Sequence, residues 1–340
     1  MGIRTPRWGW ALAALALLGM AATAAADGGR RAPEQGYRYY DVGDLEAPRP
    51  GRTEPALLLM GGGDWVPEAM HWWVERAGHG RVVILRASGD DALQKELYED
   101  IGGVTAVQTL VFDSRTAADD PRVLRIVQEA DAIFLAGGDQ ARYVRFWKGT
   151  ALNRALDAHV AAGKPIGGTS AGLAILGRYS YGAMDGGSVD SRTALSDPTG
   201  SEVTMETDFL TMPHLSRVVT DTHFAKRERL GRLIAFVARA AADGGRDDIV
   251  GLGVDEDSVL CVEADGRGRV LSLVDGHAWL VMPGHAPERL RSGEPLSFRD
   301  IPVIGVGAGS RLQLDGFKVE SPAFTAVANV VDGELHLRPE

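Results

Sequence analysis

The sequence predicts an α/β fold in which helices flank a layered, mostly parallel sheet and antiparallel strands follow toward the C-terminus. Three observations support this prediction. Short apolar runs recur between residues 57 and 167, helical patterns separate them, and beyond Gly251 the apolar segments become short and alternating. Short buried strands that alternate with helices are typical of a parallel sheet covered by helices.

The predicted strands and helices follow from local patterns. Asp120 before Pro121, and Thr150, are favourable N-caps for two helices. A stripe of apolar residues predicts a third helix over residues 226–242. Four apolar runs, each closed by glycine or a small polar residue, predict strands at residues 57–60, 82–85, 132–136 and 165–167. Residues 259–262 and 270–273 read as antiparallel strands in a β-rich part that begins near residue 250.

Composition excludes several classes of protein. The 340 residues include 36 Lys and Arg and 46 Asp and Glu, a net charge of −10, which opposes binding to nucleic acid or an anionic membrane. The single cysteine, Cys261, excludes an intramolecular disulfide, a multi-thiolate zinc site and an iron–sulfur cluster. No G-x-G-x-x-G or P-loop pattern occurs. We therefore expect no metal and no cofactor.

The N-terminus has the layout of a secretory signal peptide. Arg4 and Arg7 precede an uncharged run over residues 8–26 that ends in three alanines. An uncleaved membrane anchor is the alternative, because 19 residues just span a bilayer. We expect residues 1–26 to be removed and the protein to be periplasmic or secreted, with no other contact to a membrane.

Residues 27–55 are rich in Gly, Arg, Pro and Glu and read as a linker. Residues 56–340 are then predicted to form a single α/β domain.

The segment Gly168-Thr169-Ser170-Ala171-Gly172 is the main candidate for a catalytic motif. The bare G-x-S-x-G pattern is weak, but here it follows a predicted strand and opens a predicted helix over residues 171–176. This is the arrangement of a nucleophile elbow, with Ser170 as nucleophile. The Ala171 N–H at the helix start is a candidate oxyanion donor. A phosphate-binding helix start, or a simple turn, is the alternative.

Two further glycine turns follow predicted strands. Gly138 lies in the turn of residues 137–140, where its N–H is a candidate second oxyanion donor. Gly61, Gly62 and Gly63 form a similar turn after the first strand.

Among eight histidines, His223 is the favoured general base for Ser170. It follows an apolar run, at the kind of strand end where an α/β sheet gathers its active site. His214 is the runner-up, although Pro213 indicates a structural turn there.

Three arginines follow His223 in the predicted helix. Arg227, Arg229 and Arg232 could crowd the cleft, and guanidinium groups that bind carboxylates would indicate an acidic substrate. Taken alone, a solvated helix face with Glu228 paired to Arg232 is the better interpretation.

Together these motifs resemble the cyanophycinase and dipeptidase E family of serine peptidases. The resemblance covers residues 57–262 and depends on the 137–140 turn, the elbow, and Asp221-Thr222-His223-Phe224 with its arginines. It implies a fold related to class I glutamine amidotransferases and cleavage next to aspartyl residues. It also implies that Ser170 is the nucleophile, that His223 is the base, and that the substrate pocket is lined by Gln140, Arg227, Arg229 and Arg232.

The chain departs from the family at Thr222, where related cyanophycinases tend to carry Gln, and its triad acid cannot be aligned. We expect the acid between Ser170 and His223, with Asp190 and Asp185 favoured over Glu202.

The leading hypothesis is an exported serine peptidase that hydrolyses peptide or isopeptide bonds at aspartyl residues through an acyl-enzyme. The substrate would be a peptide or an Asp-containing polymer, and a homodimer is left open. A catalytically silent exported binding protein for acidic ligands is the alternative. A lipase-type esterase fits poorly, because no His-Gly-Gly-Gly segment precedes the serine.

Overall fold

The computed structural model describes residues 36–340. The predicted signal peptide, residues 1–26, lies outside the described residues and stays a prediction. The described part forms 18 strands and eight α-helices.

The strands are β1 (Tyr37–Gly43), β2 (Ala56–Met60), β3 (Arg81–Arg86), β4 (Ala106–Phe112), β5 (Ala132–Leu135), β6 (Ile166–Thr169), β7 (Tyr179–Tyr181), β8 (Met205–Thr207), β9 (Val218–Asp221), β10 (Val250–Val254), β11 (Ser258–Glu263), β12 (Arg267–Ser272), β13 (Ala278–Val281), β14 (Phe298–Val306), β15 (Arg311–Gln313), β16 (Lys318–Glu320), β17 (Phe324–Val331) and β18 (Glu334–Pro339). The α-helices are α1 (Pro67–Arg76), α2 (Ala92–Lys95), α3 (Pro121–Glu129), α4 (Gln140–Trp147), α5 (Ala151–Ala161), α6 (Ala171–Ala174), α7 (Ser191–Ser196) and α8 (Leu230–Gly244). A π-helix over Glu96–Ile101 and a 3₁₀-helix over Arg115–Asp119 complete the set.

The strands form two sheets. The first has ten strands in the order β1-β4-β3-β5-β6-β2-β11-β12-β15-β16, and its four parallel pairings join β4, β3, β5, β6 and β2. The second has eight strands in the order β18-β17-β14-β13-β10-β9-β7-β8, and β10-β9 and β9-β7 are its parallel pairs. The fold is therefore mixed α/β with two sheets.

The prediction of a mostly parallel sheet is wrong outside the centre of the molecule. In the described residues, six parallel pairings stand against ten antiparallel ones. Most strands after Val250 follow one another through short connections, which favour antiparallel pairing, whereas a parallel pair needs a long crossover. The β-rich part predicted from about residue 250 is present, but it extends both sheets.

Buried side chains occupy both faces of the first sheet. Strand β2 is buried throughout; Leu57 and Leu59 pack in the core that includes helices α3 and α5, and Leu58 and Met60 pack in the core that includes α1. Helix α8 covers the second sheet with a stripe that includes Leu233. Burial on both faces explains why the central strands read as continuous apolar runs.

The predicted helix starts are largely confirmed. The carboxylate of Asp120 accepts hydrogen bonds from the N–H groups of Arg122 and Val123, and the hydroxyl of Thr150 accepts one from Asn153. Helix α8 begins at Leu230, four residues later than predicted, because Glu228 adopts a φ of +50° in the preceding turn.

Two segments differ from the sequence-based expectation. The predicted linker, residues 27–55, contains β1, which pairs with β4 as the edge strand of the first sheet. Strand β4 has no counterpart among the predicted strands, since Gln108 and Thr109 interrupt its apolar run. Gln108 donates to the Tyr39 hydroxyl of β1 at 2.8 Å, so this pairing also satisfies the polar side chain.

Candidate active site

Ser170 lies in a sharp turn between β6 and α6. Its φ of 51° and ψ of −119° are unusual for a residue with a side chain, and its N–H donates to the carbonyl oxygen of Met60 at 3.2 Å. A β-carbon on Gly172 would lie 2.0 Å from the carbonyl oxygen of Leu135, so only glycine lets α6 approach β5 this closely. The predicted succession of strand, turn and helix is present, although the helix ends at Ala174.

His223 follows β9, and its side chain meets Ser170. The Nε2 atom of His223 is 2.7 Å from the Ser170 Oγ atom. The backbone of His223 has a φ of +47°, and its N–H donates to the carbonyl oxygen of Gly61 at 2.8 Å. The next two N–H groups, of Phe224 and Ala225, donate to the Val254 carbonyl and the Asp255 carboxylate. These bonds hold the turn that carries the imidazole.

Glu256 completes a hydrogen-bonded chain of three side chains. Its Oε1 atom is 2.6 Å from His223 Nδ1, and both side chains are about nine-tenths buried, at 12% and 11% exposure. Strands β9 and β10 are parallel neighbours, so the residues that follow their carboxyl ends lie side by side. Ser170 comes from the first sheet and His223 from the second, and Glu256 lies on the connection between the sheets.

The structure does not bring the expected acids to His223. Asp190 caps α7, where its Oδ1 atom accepts from Thr193 N–H at 2.8 Å, and Asp185 is exposed. Both line a cavity of about 180 Å³ together with Glu202. The carboxylate that contacts His223 is that of Glu256, which follows the histidine in the chain instead of preceding it.

Glu256 lies outside the interval between Ser170 and His223 in which the acid was expected. The available signal was the acidic run Asp255-Glu256-Asp257 directly after β10, at the strand end where site residues gather. The runner-up histidine, His214, is instead 2.8 Å from Asp315 and does not contact Ser170.

Burial, together with the neighbouring arginines, favours the neutral form of His223. Burial lowers the pKa of His223, Arg227 and Arg229 lower it further, and the hydrogen bond to Glu256 only partly opposes them. Burial raises the pKa of Glu256, but hydrogen bonds from Lys226 and His223 outweigh this and hold it below the ordinary value. An ionised carboxylate beside a neutral imidazole is the state that a general base requires before it accepts a proton.

The start of α6 and the turn of residues 137–140 lie beside Ser170. Ala171 is the first residue of α6, and the first N–H groups of a helix have no partner within it. A β-carbon on Gly137 would lie 3.3 Å from Ser170 Cβ, which places the turn containing Gly138 against the serine.

Arg232 does not line the cleft as predicted. Its guanidinium donates to both carboxylate oxygens of Asp221, at 2.8 and 2.5 Å, and to Ser188 and Val189, and its side chain is 4% exposed. The buried carboxylate of Asp221 requires such a partner, so Arg232 is occupied within the protein.

Arg229 and Arg227 are less fully paired. Arg229 donates to the Thr222 carbonyl at 2.8 Å and to the Ser188 hydroxyl at 3.3 Å, and it lies 3.6 Å from Asp221 Oδ1. Burial lowers the pKa of Arg229 to about 10, although Asp221 raises it. Arg227 is exposed. Arg229 and Arg232 thus share one buried carboxylate, which leaves this group of three side chains with one excess positive charge.

Gln140 and Gly138 line a cavity of about 320 Å³, and Gly187 and Ser188 also line it. The Gln140 amide donates to the Tyr181 carbonyl at 2.6 Å. Ser188, which accepts hydrogen bonds from Arg229 and Arg232, connects this cavity to the arginines. A larger cavity, of about 530 Å³, is lined by residues that include Asp157 and the runner-up His214, and by none of the favoured site residues.

Within residues 36–340, no group of three or more His, Cys, Asp or Glu side chains is arranged to hold a metal ion. The same residues contain no helix with the length and apolar character needed to cross a bilayer.

Comparison with known proteins decides the family. The model of peptidase family S51 matches residues 94–266, which is half of the chain and includes Ser170, His223 and Glu256. The chain belongs to peptidase family S51. The resemblance to the cyanophycinase and dipeptidase E family is thereby confirmed, and this S51 chain is a serine-type peptidase.

Curated relatives of the S51 chain carry the name cyanophycinase. The protein of Trichormus variabilis is 29% identical over 285 residues, which cover 79% of this chain and 89% of the relative. The protein of Synechococcus elongatus is 36% identical over 193 residues, 56% of this chain and 55% of the relative.

A solved peptidase structure supports the mixed α/β fold. The crystal structure of a peptidase from an acI-B1 actinobacterium superimposes with a TM-score of 0.51 and 17% identity, over 78% of this chain and 98% of that one. At this level of identity the similarity concerns the fold alone.

Proposed function

We propose that this S51 peptidase hydrolyses bonds next to aspartyl residues through an acyl-enzyme, with Ser170 as nucleophile, His223 as general base and Glu256 as the acid that orients it. The observation that carries the proposal is the chain of two short hydrogen bonds, 2.7 Å from Ser170 Oγ to His223 Nε2 and 2.6 Å from His223 Nδ1 to Glu256. We also propose that the protein is exported, on the basis of the signal-peptide pattern in residues 1–26.

In the proposed reaction, Ser170 Oγ attacks the scissile carbonyl carbon while His223 Nε2 takes the hydroxyl proton. Ionised Glu256 stabilises the imidazolium that forms. The N–H groups of Ala171 and Gly138 donate to the oxyanion of the tetrahedral intermediate. His223 then gives its proton to the leaving amine, which leaves an acyl-enzyme on Ser170. A water molecule, deprotonated by His223, attacks the ester and regenerates the serine.

A fluorophosphonate probe tests the nucleophile independently of the substrate. We expect covalent labelling of the parent protein, with the modified peptide containing Ser170 when it is identified by mass spectrometry. Labelling should disappear in Ser170→Ala and fall strongly in His223→Ala, since the hydroxyl is activated only by its base. An unlabelled, folded parent would contradict the proposal and favour the catalytically silent binding protein.

The excess positive charge at Arg229 supports specificity for an acidic substrate. A buried cation that shares its counterion with a second cation is stabilised when another carboxylate binds beside it. An aspartyl side chain in the cavity next to Ser188 would supply that carboxylate. Exposed Arg227 provides a second cation nearby. The relatives' name, cyanophycinase, adds an Asp-containing polymer to the candidate substrates.

Arg229→Gln is the variant that tests this specificity, because glutamine retains a donor without the charge. Loss of one partner of a buried charge pair costs about 2 to 5 kcal/mol, so kcat/KM for an aspartyl peptide should fall by roughly 30-fold to several thousand-fold. The loss should be much smaller for the matched asparaginyl peptide. Arg267→Gln, at an exposed arginine whose side chain is 74% accessible, serves as the control and should match the parent on both peptides. Equal losses on both peptides in Arg229→Gln would show a purely structural role and end the proposed specificity.

A further inference from the structure

Gly62 lies against the imidazole of His223. The residue has a φ of +113°, and a β-carbon placed on it would lie 2.3 Å from His223 Cε1, 2.7 Å from Nδ1 and 2.8 Å from Nε2. Separations below 3.0 Å are not tolerated between a β-carbon and a ring atom. The three atoms include both nitrogens that bond to Ser170 and Glu256. A side chain at position 62 would therefore overlap the edge of the ring that carries both nitrogens.

The loop that carries Gly62 is tied to both segments of the site. The Gly61 carbonyl accepts the N–H of His223 at 2.8 Å, and the Gly62 carbonyl accepts the N–H of Asp257 at 2.8 Å. The carboxylate of Asp257 in turn accepts the N–H of Asp64 at 2.7 Å. The loop thus bridges His223 and the residue next to Glu256. Because it is held on both sides, the loop cannot retreat from the ring without breaking these bonds.

We propose that Gly62 is a positioning residue. Because it has no β-carbon, the His223 ring can occupy the position in which its two nitrogens bond to Ser170 and Glu256. The His223 side chain has hydrogen bonds of 2.7 and 2.6 Å at its two nitrogens, and displacement of the ring lengthens at least one of them. The catalytic consequence rests on the proposed function. The steric relation between Gly62 and His223 does not.

Gly62→Ala and Gly316→Ala form a matched pair of variants. Gly316 also has a positive φ, +93°, but no atom lies within 4 Å of the position of its β-carbon. Both substitutions therefore impose a similar backbone strain, and only the first adds a clash with His223. We expect kcat for Gly62→Ala to fall on the order of 10²-fold, as for a catalytic group displaced by about 1 Å, with KM near the parent value. Gly316→Ala should retain the parent's kcat and KM.

A double-mutant cycle in urea tests the steric relation without any activity. In the parent background, Gly62→Ala should lower the unfolding midpoint more than Gly316→Ala does. In the His223→Ala background the ring is absent, so the two glycine substitutions should lower the midpoint equally. If Gly62→Ala does not fold, the double variant Gly62→Ala/His223→Ala decides the question: a folded protein supports the proposal, and an unfolded one overturns it.

The two experiments separate the two proposals. Equal effects of Gly62→Ala in both backgrounds, or an unchanged kcat in a folded Gly62→Ala protein, would overturn the positioning role. A parent protein without hydrolytic activity would overturn the proposed function, while the unfolding cycle would still report on Gly62 and His223.

Discussion

Ser170→Ala is expected to lower kcat on the order of 10⁶-fold, the loss seen when the nucleophile of a serine-protease triad is removed. Without the hydroxyl, His223 has no proton to accept and no acyl-enzyme can form. The oxyanion donors and the substrate cavity remain, so residual catalysis of about 10³- to 10⁴-fold over water should persist. The measurement is single-turnover hydrolysis of an aspartyl peptide.

The fold should tolerate Ser170→Ala, because the serine side chain makes no cap hydrogen bond to α6. Ser196→Ala is the control: this exposed serine donates to the Thr193 carbonyl, and the variant should retain the parent's turnover. Near-parent turnover by a folded Ser170→Ala protein would refute catalysis by this serine.

Glu256→Gln should produce the second largest loss, on the order of 10⁴-fold in kcat, as expected when the carboxylate of a triad becomes an amide. The amide can donate to Nδ1 of His223 and so favour the tautomer with its proton on Nε2, which cannot accept the Ser170 proton. It also no longer stabilises the imidazolium. Glutamine has the same size as glutamate, so the unfolding midpoint should change little even though kcat falls strongly.

Asp190→Asn is a matched control for Glu256→Gln. Asn is as good an N-cap as Asp, so α7 should be preserved, and the variant should retain the parent's kcat. A large loss in Asp190→Asn together with a small loss in Glu256→Gln would reverse the assignment of the acid.

The pH profile of kcat/KM provides an independent test of the Glu256→Gln variant. His223 must be neutral to act as base, so kcat/KM should rise with pH through the His223 pKa, which lies below its ordinary value. Glu256 raises this pKa, whereas burial lowers it. Removal of the Glu256 charge should therefore shift the acidic limb of the profile to still lower pH in Glu256→Gln. A shift to higher pH would contradict contact between the two groups.

The sequence alone determined the features that depend on neighbours along the chain. The caps at Asp120 and Thr150 and the strand that ends before Ser170 were predictable because propensity, capping and turn formation act over a few residues. The helix after His223 was predictable for the same reason, although it begins at Leu230 and not at residue 226. The buried parallel strands were predictable from apolar runs, because a strand that is buried on both faces is apolar at nearly every position.

Tertiary structure alone decided which distant residues meet. Glu256 joins His223 because β9 and β10 pair in parallel, and no local pattern records which strands are neighbours. Arg232 pairs with Asp221, which is buried beside it, and does not line the cleft. The sequence pattern did not distinguish Arg232 from Arg229. The role proposed for Gly62 depends on a ring that lies 161 positions away in the chain, from 62 to 223. Sequence patterns report local conformational preference and burial. A candidate active site assembled from two sheets depends instead on strand pairings between distant parts of the chain, which form only in the complete fold.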